Sequence, residues 1–209
     1  MKKIIITAVI TVWTISSAIA PDIERRKEQT LQDVFAGQVR KMLKYEKEKK
    51  QFNKFLDALS QKESRGRVNV INSYGAMGKY QFTKSTLESL GYDVSIRKFA
   101  NNSEEFSLKM QEEAVRKLIK SNSKVLEDII NKYSGRVYKV ILINKSGIIA
   151  AAHLAGAFNV KKFFKYGFDP HDAYGTNLTD YLKRFSGYDL TYDLYDITGK
   201  DTPYQTVKG

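Results

Sequence analysis

Three segments carry side chains whose types and spacing suit acid chemistry on a sugar-like substrate: Glu63-Ser64, the run Tyr74-Gly75-Ala76-Met77-Gly78-Lys79-Tyr80-Gln81-Phe82, and Ala150-Ala151-Ala152-His153-Leu154-Ala155-Gly156. Glu63 is the most telling. Phe52, Phe55, Leu56 and Leu59 recur at helical spacing, and Glu63, eleven residues after Phe52, returns to nearly the same face. A carboxyl there lies along an apolar stripe at the C-terminal end of a helix. Apolar surroundings penalise the anion, and so does the negative end of the helix dipole. A carboxylic acid that keeps its proton near neutral pH is what breaking a glycosidic bond requires. The competing reading is a solvated helix-end carboxylate.

In the second segment Gly75 and Gly78 permit positive φ or close backbone approach. Tyr80 and Gln81 bring an aromatic face and an amide, the groups that hold a pyranose by its C–H face and its hydroxyls. A plain loop with a core tyrosine is the alternative. In the third segment His153 lies on the most apolar helix pattern of the chain, where a satisfied core histidine competes with a functional one. No serine–aspartate pattern accompanies it. His171, between Pro170 and Asp172, reads as a loop residue.

Composition narrows the chemistry. The 209-residue chain has no cysteine, hence no disulfide and no thiol nucleophile, and its two histidines argue against a histidine-rich metal site. No segment calls for a metal or an organic cofactor. Net charge is +12, of which Lys2 and Lys3 supply two, leaving +10 on the body and pointing to an anionic partner. The N-terminus selects among anionic partners. Lys2-Lys3, an apolar run from Ile4 to Ile15 and the small residues Ser16 to Ala20 read as an export signal. The alternative is an uncleaved membrane anchor through residues 4–20, about the minimum length to span a bilayer. Either reading puts the body in the periplasm or cell envelope, excludes nucleic acid as the partner and favours an envelope polymer.

The elements that must position these groups follow from periodicity. Residues 1–20 are the signal or anchor, 21–50 a charged helical stalk, 51–190 the main domain and 191–209 a tail. The stalk carries a stripe of Leu31, Val34, Phe35, Val39, Met42 and Leu43, and helical pattern continues to residue 60. Thr83 to Leu90 reads as a short helix closed by Gly91. Asn102 and Glu105 have capping-box spacing for the start of a helix containing Phe106, Met110, Ala114 and Leu118. Val125 to Tyr133 reads as another helix, and Val137 to Ile143 as a short strand or hairpin arm. Ser146 is placed to cap a helix that Gly156 ends, apolar nearly all round and therefore central. Val160, Phe163 and Phe164 mark a further helix, and Leu178, Tyr181, Leu182 and Phe185 the last. No internal repeat is visible. The expected fold is mainly α, with at most a short hairpin.

Glu63-Ser64 after a helix, Gly78-Lys79-Tyr80-Gln81, and an Ala-rich helix ending at Gly156 resemble, in that order, the motifs of the lytic transglycosylases of the goose-type lysozyme-like superfamily. Their signatures are Glu-Ser, Gly-Leu-Met-Gln and Ala-Tyr-Asn-x-Gly. His153 and Leu154 stand here in place of the Tyr and Asn of the third. The runs Gly75–Phe82, Ala151–Gly156 and Phe185–Leu190 also resemble a bacterial subgroup of secreted peptidoglycan hydrolases. The resemblance covers about residues 55–190 and implies an α+β lysozyme-like domain acting on peptidoglycan glycan strands. It implies that Glu63 protonates the oxygen of the MurNAc–GlcNAc bond and then acts as base, so that the C6 hydroxyl closes a 1,6-anhydro ring. It implies substrate-holding roles for Ser64, Gly78, Tyr80, Gln81, His153 and Tyr188. Among the other acids, Glu88, Glu112, Glu113, Asp172 and Asp189 lie in no matched motif, which favours a single-glutamate mechanism. A lysozyme-like muramidase cutting the same bond, or a non-catalytic glycan-binding protein, are the alternatives.

Overall fold

A computed structural model describes the backbone of residues 2–172 and 174–194 and the side chains of 22–172 and 174–192. The side chains of the export or anchor segment and the tail from 195 onward lie outside the described residues. The architecture is mainly helical, as expected. The helices are α1 (Lys2–Ser64), α2 (Lys84–Ser89), α3 (Ile96–Asn101), α4 (Leu108–Val125), α5 (Glu127–Tyr133), α6 (Lys145–Ala155), α7 (Ala157–Tyr166) and α8 (Leu178–Arg184). Between α5 and α6 lies an antiparallel hairpin, β1 (Val137–Tyr138) and β2 (Ile141–Leu142), with Val137 opposite Leu142. Among the described residues no helix is long and apolar enough to cross a membrane.

The chain divides between Glu46 and Lys47 into two compact units. In the first, the helical stripe expected of the stalk is exposed, Leu31 at 69% and Phe35 at 68%. In the second, the stripe of Phe52, Phe55, Leu56 and Leu59 is buried, each side chain contributing about 1.5–3 kcal/mol by leaving water.

The centre of the second unit is α6. Ile148 to Ala152 are all buried, which accounts for a helix with almost no polar face. Gly147 lets α8 lie directly on it: a Cβ there would fall 2.6 Å from the Leu182 carbonyl oxygen. That close approach sets where α8 presents Tyr181.

Three local expectations are corrected. The Asn102–Glu105 pair does not open the long helix. Asn102 caps a 3-10 turn, Ser103–Phe106, and Ser107 caps α4 by accepting the Met110 N–H. The turn lets Phe106 enter the core fully. The cap of α6 is Asn144, which accepts the Gly147 N–H, while Ser146 Oγ donates to the Phe185 carbonyl at 2.6 Å. The next correction concerns the helix expected over Val125–Tyr133. It is divided between the last residue of α4 and α5, because Leu126 closes α4 on the Asn122 carbonyl.

Candidate active site

α1 runs through Glu63 and ends at Ser64, a full turn beyond the last clear apolar repeat. Arg65 and Gly66 follow with φ of 58° and 74°, and the Gly66 N–H returns to the Ser60 carbonyl at 3.0 Å. Left-handed residues of this kind stop a helix and turn the chain sharply. Glu63 is therefore a half-buried carboxylate on the final turn. Ser64 is buried, and its Oγ donates to the Lys79 carbonyl at 2.8 Å. That bond fastens the helix end to the second motif.

The segment Met77–Phe82 is a tight hairpin, with the Met77 N–H donating to the Phe82 carbonyl at 2.8 Å and the Phe82 N–H to the Met77 carbonyl at 2.9 Å. Gly78 is needed twice over. Its φ is 74°, and a Cβ would lie 2.4 Å from Gln111 Oε1. The buried Gln111 amide stitches this loop together, accepting from the Lys79 N–H and donating to the Phe106 carbonyl at 2.7 Å. Gln81, at φ 52°, donates its side-chain amide to the Gly78 carbonyl at 2.9 Å. Tyr80 is wholly buried, and its hydroxyl donates to Glu112 Oε1 at 2.9 Å. Lys79 pairs with the same oxygen at 2.9 Å. His153 Nε2 lies 2.9 Å from the Tyr80 carbonyl, and its ring meets Phe82 edge-on. The loop is thus held from α1 by Ser64, from α4 by Gln111 and Glu112, and from α6 by His153.

On the other side of Glu63 stands α8. The Tyr181 hydroxyl donates to Glu63 Oε1 at 2.5 Å, and the Tyr181 ring is 2% exposed. Burial, then the charge and hydrogen bond of Glu63, push the Tyr181 hydroxyl far above its ordinary value, so it remains a donor. Tyr181 also lines an open cleft of about 600 Å³ with Lys62, Tyr174, Gly175, Thr176, Asp180, Lys183 and Arg184. Among the described residues Glu63 has no cationic partner within ion-pair distance.

The structure therefore gathers Glu63, Ser64, Gly78, Tyr80, Gln81 and His153 around one loop and one helix end. Tyr188 is fixed by a contact of its own. Its ring packs edge-on against Phe55, ring centres 5.7 Å apart. Of the other acids, Glu112 serves Tyr80 and Lys79, and Asp172 Oδ1 accepts two backbone N–H groups of its own loop. Asp180 Oδ2 accepts the Asn177 N–H as a helix cap. In the sequence Tyr181 reads only as a core marker of the last helix. A signal was available, since a buried tyrosine on an apolar stripe must find a partner for its hydroxyl. Among the described residues no cluster of three or more histidine or carboxylate side chains is arranged to hold a metal ion.

In comparison with known proteins, a family model described as Transglycosylase SLT domain matches residues 40–173. No curated protein and no solved structure matches the chain.

Proposed function

The chain belongs to the transglycosylase SLT family, and from that premise we propose that Glu63 is the acid and then the base with which it cuts glycan strands. As a member of that family it is a peptidoglycan-cleaving enzyme of the lytic transglycosylase type. Tyr181 engages Glu63 Oε1, so the transferable proton belongs on the other oxygen, towards substrate. That proton passes to the bridging oxygen of the MurNAc–GlcNAc bond, the C1–O bond breaks, and positive charge builds at C1. The Glu63 carboxylate then takes the proton of the C6 hydroxyl as its oxygen bonds to C1. The product is a 1,6-anhydro end, and no water is consumed.

The observation that carries this reading is the bond to Glu63 from Tyr181, a tyrosine that also lines the cleft. It orients a half-buried carboxylate that has no ion-pair partner among the described residues. Ser64, Gly78, Gln81 and His153 hold the neighbouring loop by the bonds described above, and their role is to keep that wall of the site rigid. Tyr80 supports the same wall from within the core.

A second reading, hydrolysis by two carboxylates, draws on Asp180, which also lines the cleft. Such an enzyme needs its partner acid at roughly 5–9.5 Å. Mass analysis of the digested wall separates the two. The transglycosylase leaves 1,6-anhydromuramic ends, one water lighter than the reducing ends of a hydrolase. Clearing of cell walls in a gel should vanish with Glu63→Gln, and clearing that survives sinks the assignment.

The enzyme must meet its polymer outside the cytoplasm. We therefore place the body in the periplasm or cell envelope, delivered by residues 1–20 and held there by residues 4–20 if the segment is not cut. Fractionation of cells carrying a tagged chain tests this, a soluble cytoplasmic pool being the contrary result.

A further inference from the structure

Two loops one hundred positions apart share a set of bridges and hydrogen bonds. The bridge Ile71–Met77 closes the first and the bridge His171–Asn177 the second. Asn72 Oδ1 accepts the N–H groups of Tyr74 and Ala76, at 2.9 and 3.0 Å. Asp172 Oδ1 accepts those of Tyr174 and Thr176, both at 2.8 Å. The Asn72 N–H donates to the Ala76 carbonyl and the Asp172 N–H to the Thr176 carbonyl, and Gly75 and Gly175 turn back at φ of 79° and 80°. In each loop these bonds are made by the Asx side chain and the backbone, and none uses the tyrosine side chain at the tip.

Yet the tips meet. The Tyr74 and Tyr174 rings stand at 85° with centres 5.3 Å apart, and Ser73 Oγ lies 3.2 Å from the Tyr174 hydroxyl. Both tyrosines remain about two-thirds exposed, 65% and 64%. The contact buries little, so its effect is to hold the rings still. An edge-on pair leaves ring face uncovered, and fixing a tyrosine beforehand lowers the entropy cost of binding to it. Tyr174 lines the same cleft as Tyr181, beside Lys62, Lys183 and Arg184.

We propose that Tyr174, braced by Tyr74 and Ser73, is a stacking platform for a pyranose ring of the glycan strand in the cleft beside Glu63. The proposal rests on the reading of that cleft as the place where glycan is cut. A pyranose offers an apolar C–H face to the ring, while Thr176 and Asp180 lie within the same cleft for its hydroxyls. The three cations suit a sugar whose lactyl or peptide substituent carries a carboxylate. The cleft volume falls in the range of small-ligand sites, roughly 300–1,000 Å³.

The test uses the full chain. Wild type is first assayed for cleavage of purified sacculi. Binding is then measured by calorimetry in the Glu63→Gln background, with a peptide-free tetrasaccharide of alternating GlcNAc and MurNAc as probe. Tyr174→Ala should weaken binding roughly tenfold and Tyr74→Ala about threefold through the lost brace. Tyr174→Phe, which keeps the ring face, should restore most of the loss. In the active chain the Tyr174→Ala effect should fall on KM more than on kcat. Affinity unchanged within about twofold by Tyr174→Ala, in a chain whose wild type cleaves and binds, overturns the platform alone. So does a loss seen only with peptide-bearing fragments, which would make the tyrosines a peptide surface. A wild-type chain that neither cleaves sacculi nor binds the tetrasaccharide overturns the functional reading and the platform with it.

Discussion

Tyr80 and Tyr181 are two buried tyrosines whose hydroxyls each donate to a glutamate, Glu112 at 2.9 Å and Glu63 at 2.5 Å. Burial first, then the adjoining negative charge, drives both hydroxyls well above the ordinary tyrosine value. What differs is the rest of each carboxylate's company. Glu112 is also paired with Lys79 at 2.9 Å, so its charge is compensated and its oxygen occupied. Glu63 has no ion-pair partner among the described residues, and its tyrosine faces a cleft. A tyrosine–glutamate bond is thus no mark of function by itself. The counter-cation makes one pair a fastening, while the other pair is the one to which the proposed function assigns the chemistry.

The largest effect should separate the glutamates. Glu63→Gln should lower glycan cleavage by about 10²–10⁴-fold with circular dichroism unchanged. Glu112→Gln should lower thermal stability and leave turnover per folded molecule near wild type. Equal losses of turnover would erase the distinction drawn above. Next come the tyrosines. Tyr181→Phe frees Glu63 to rotate and should cost roughly 10- to 100-fold in kcat. Tyr80→Phe should instead cost about 0.5–1.5 kcal/mol of stability, read from the denaturant midpoint.

Gly78→Ala probes the frame around Tyr80 rather than the cleft. The added methyl meets Gln111 and the backbone resists φ of 74°, so stability should drop by about 2–3 kcal/mol. A shift under about half of that would show that Gln111 simply swings aside.

The smallest effect is on pH dependence. A hydroxyl whose value is raised in the folded state stabilises fully below the unfolded value of 10.0 and progressively less as pH climbs above it. Unfolding free energy should therefore fall above pH 10.0 by up to about 1.4 kcal/mol per pH unit for each tyrosine. Tyr80→Phe and Tyr181→Phe should each flatten that slope, the two contributing alike whatever their effect on turnover. An unaltered slope in either variant would mean that the hydroxyl is not held as described.

Much of the frame was legible along the chain because it is written in local periodicity. The stripe Phe52 to Leu59 forecast a helix with a buried face, and that helix carries Glu63 on its last turn. The apolar run 148–155 forecast a central helix, and Val137–Ile143 the hairpin. Caps were read less well. Asn102 and Ser146 have the right chemistry, but Ser107, five residues on, and Asn144, two residues back, took the positions, because Phe106 had to be buried and the Phe185 carbonyl had to be satisfied. The paired loops are not legible along the chain because their shared pattern is no more than an Asx residue followed two and three positions later by Tyr and Gly.

The sequence alone determined a mainly helical domain with a glutamate–serine pair at the end of an amphipathic helix, since spacing and turn residues act over a few positions. Only the tertiary structure decided which tyrosine meets which glutamate. Tyr181 and Glu63 are 118 positions apart, brought together because Gly147 admits α8 against α6 and because the chain turns sharply after Ser64. Pairings at that separation depend on how whole elements pack, and no local pattern encodes them.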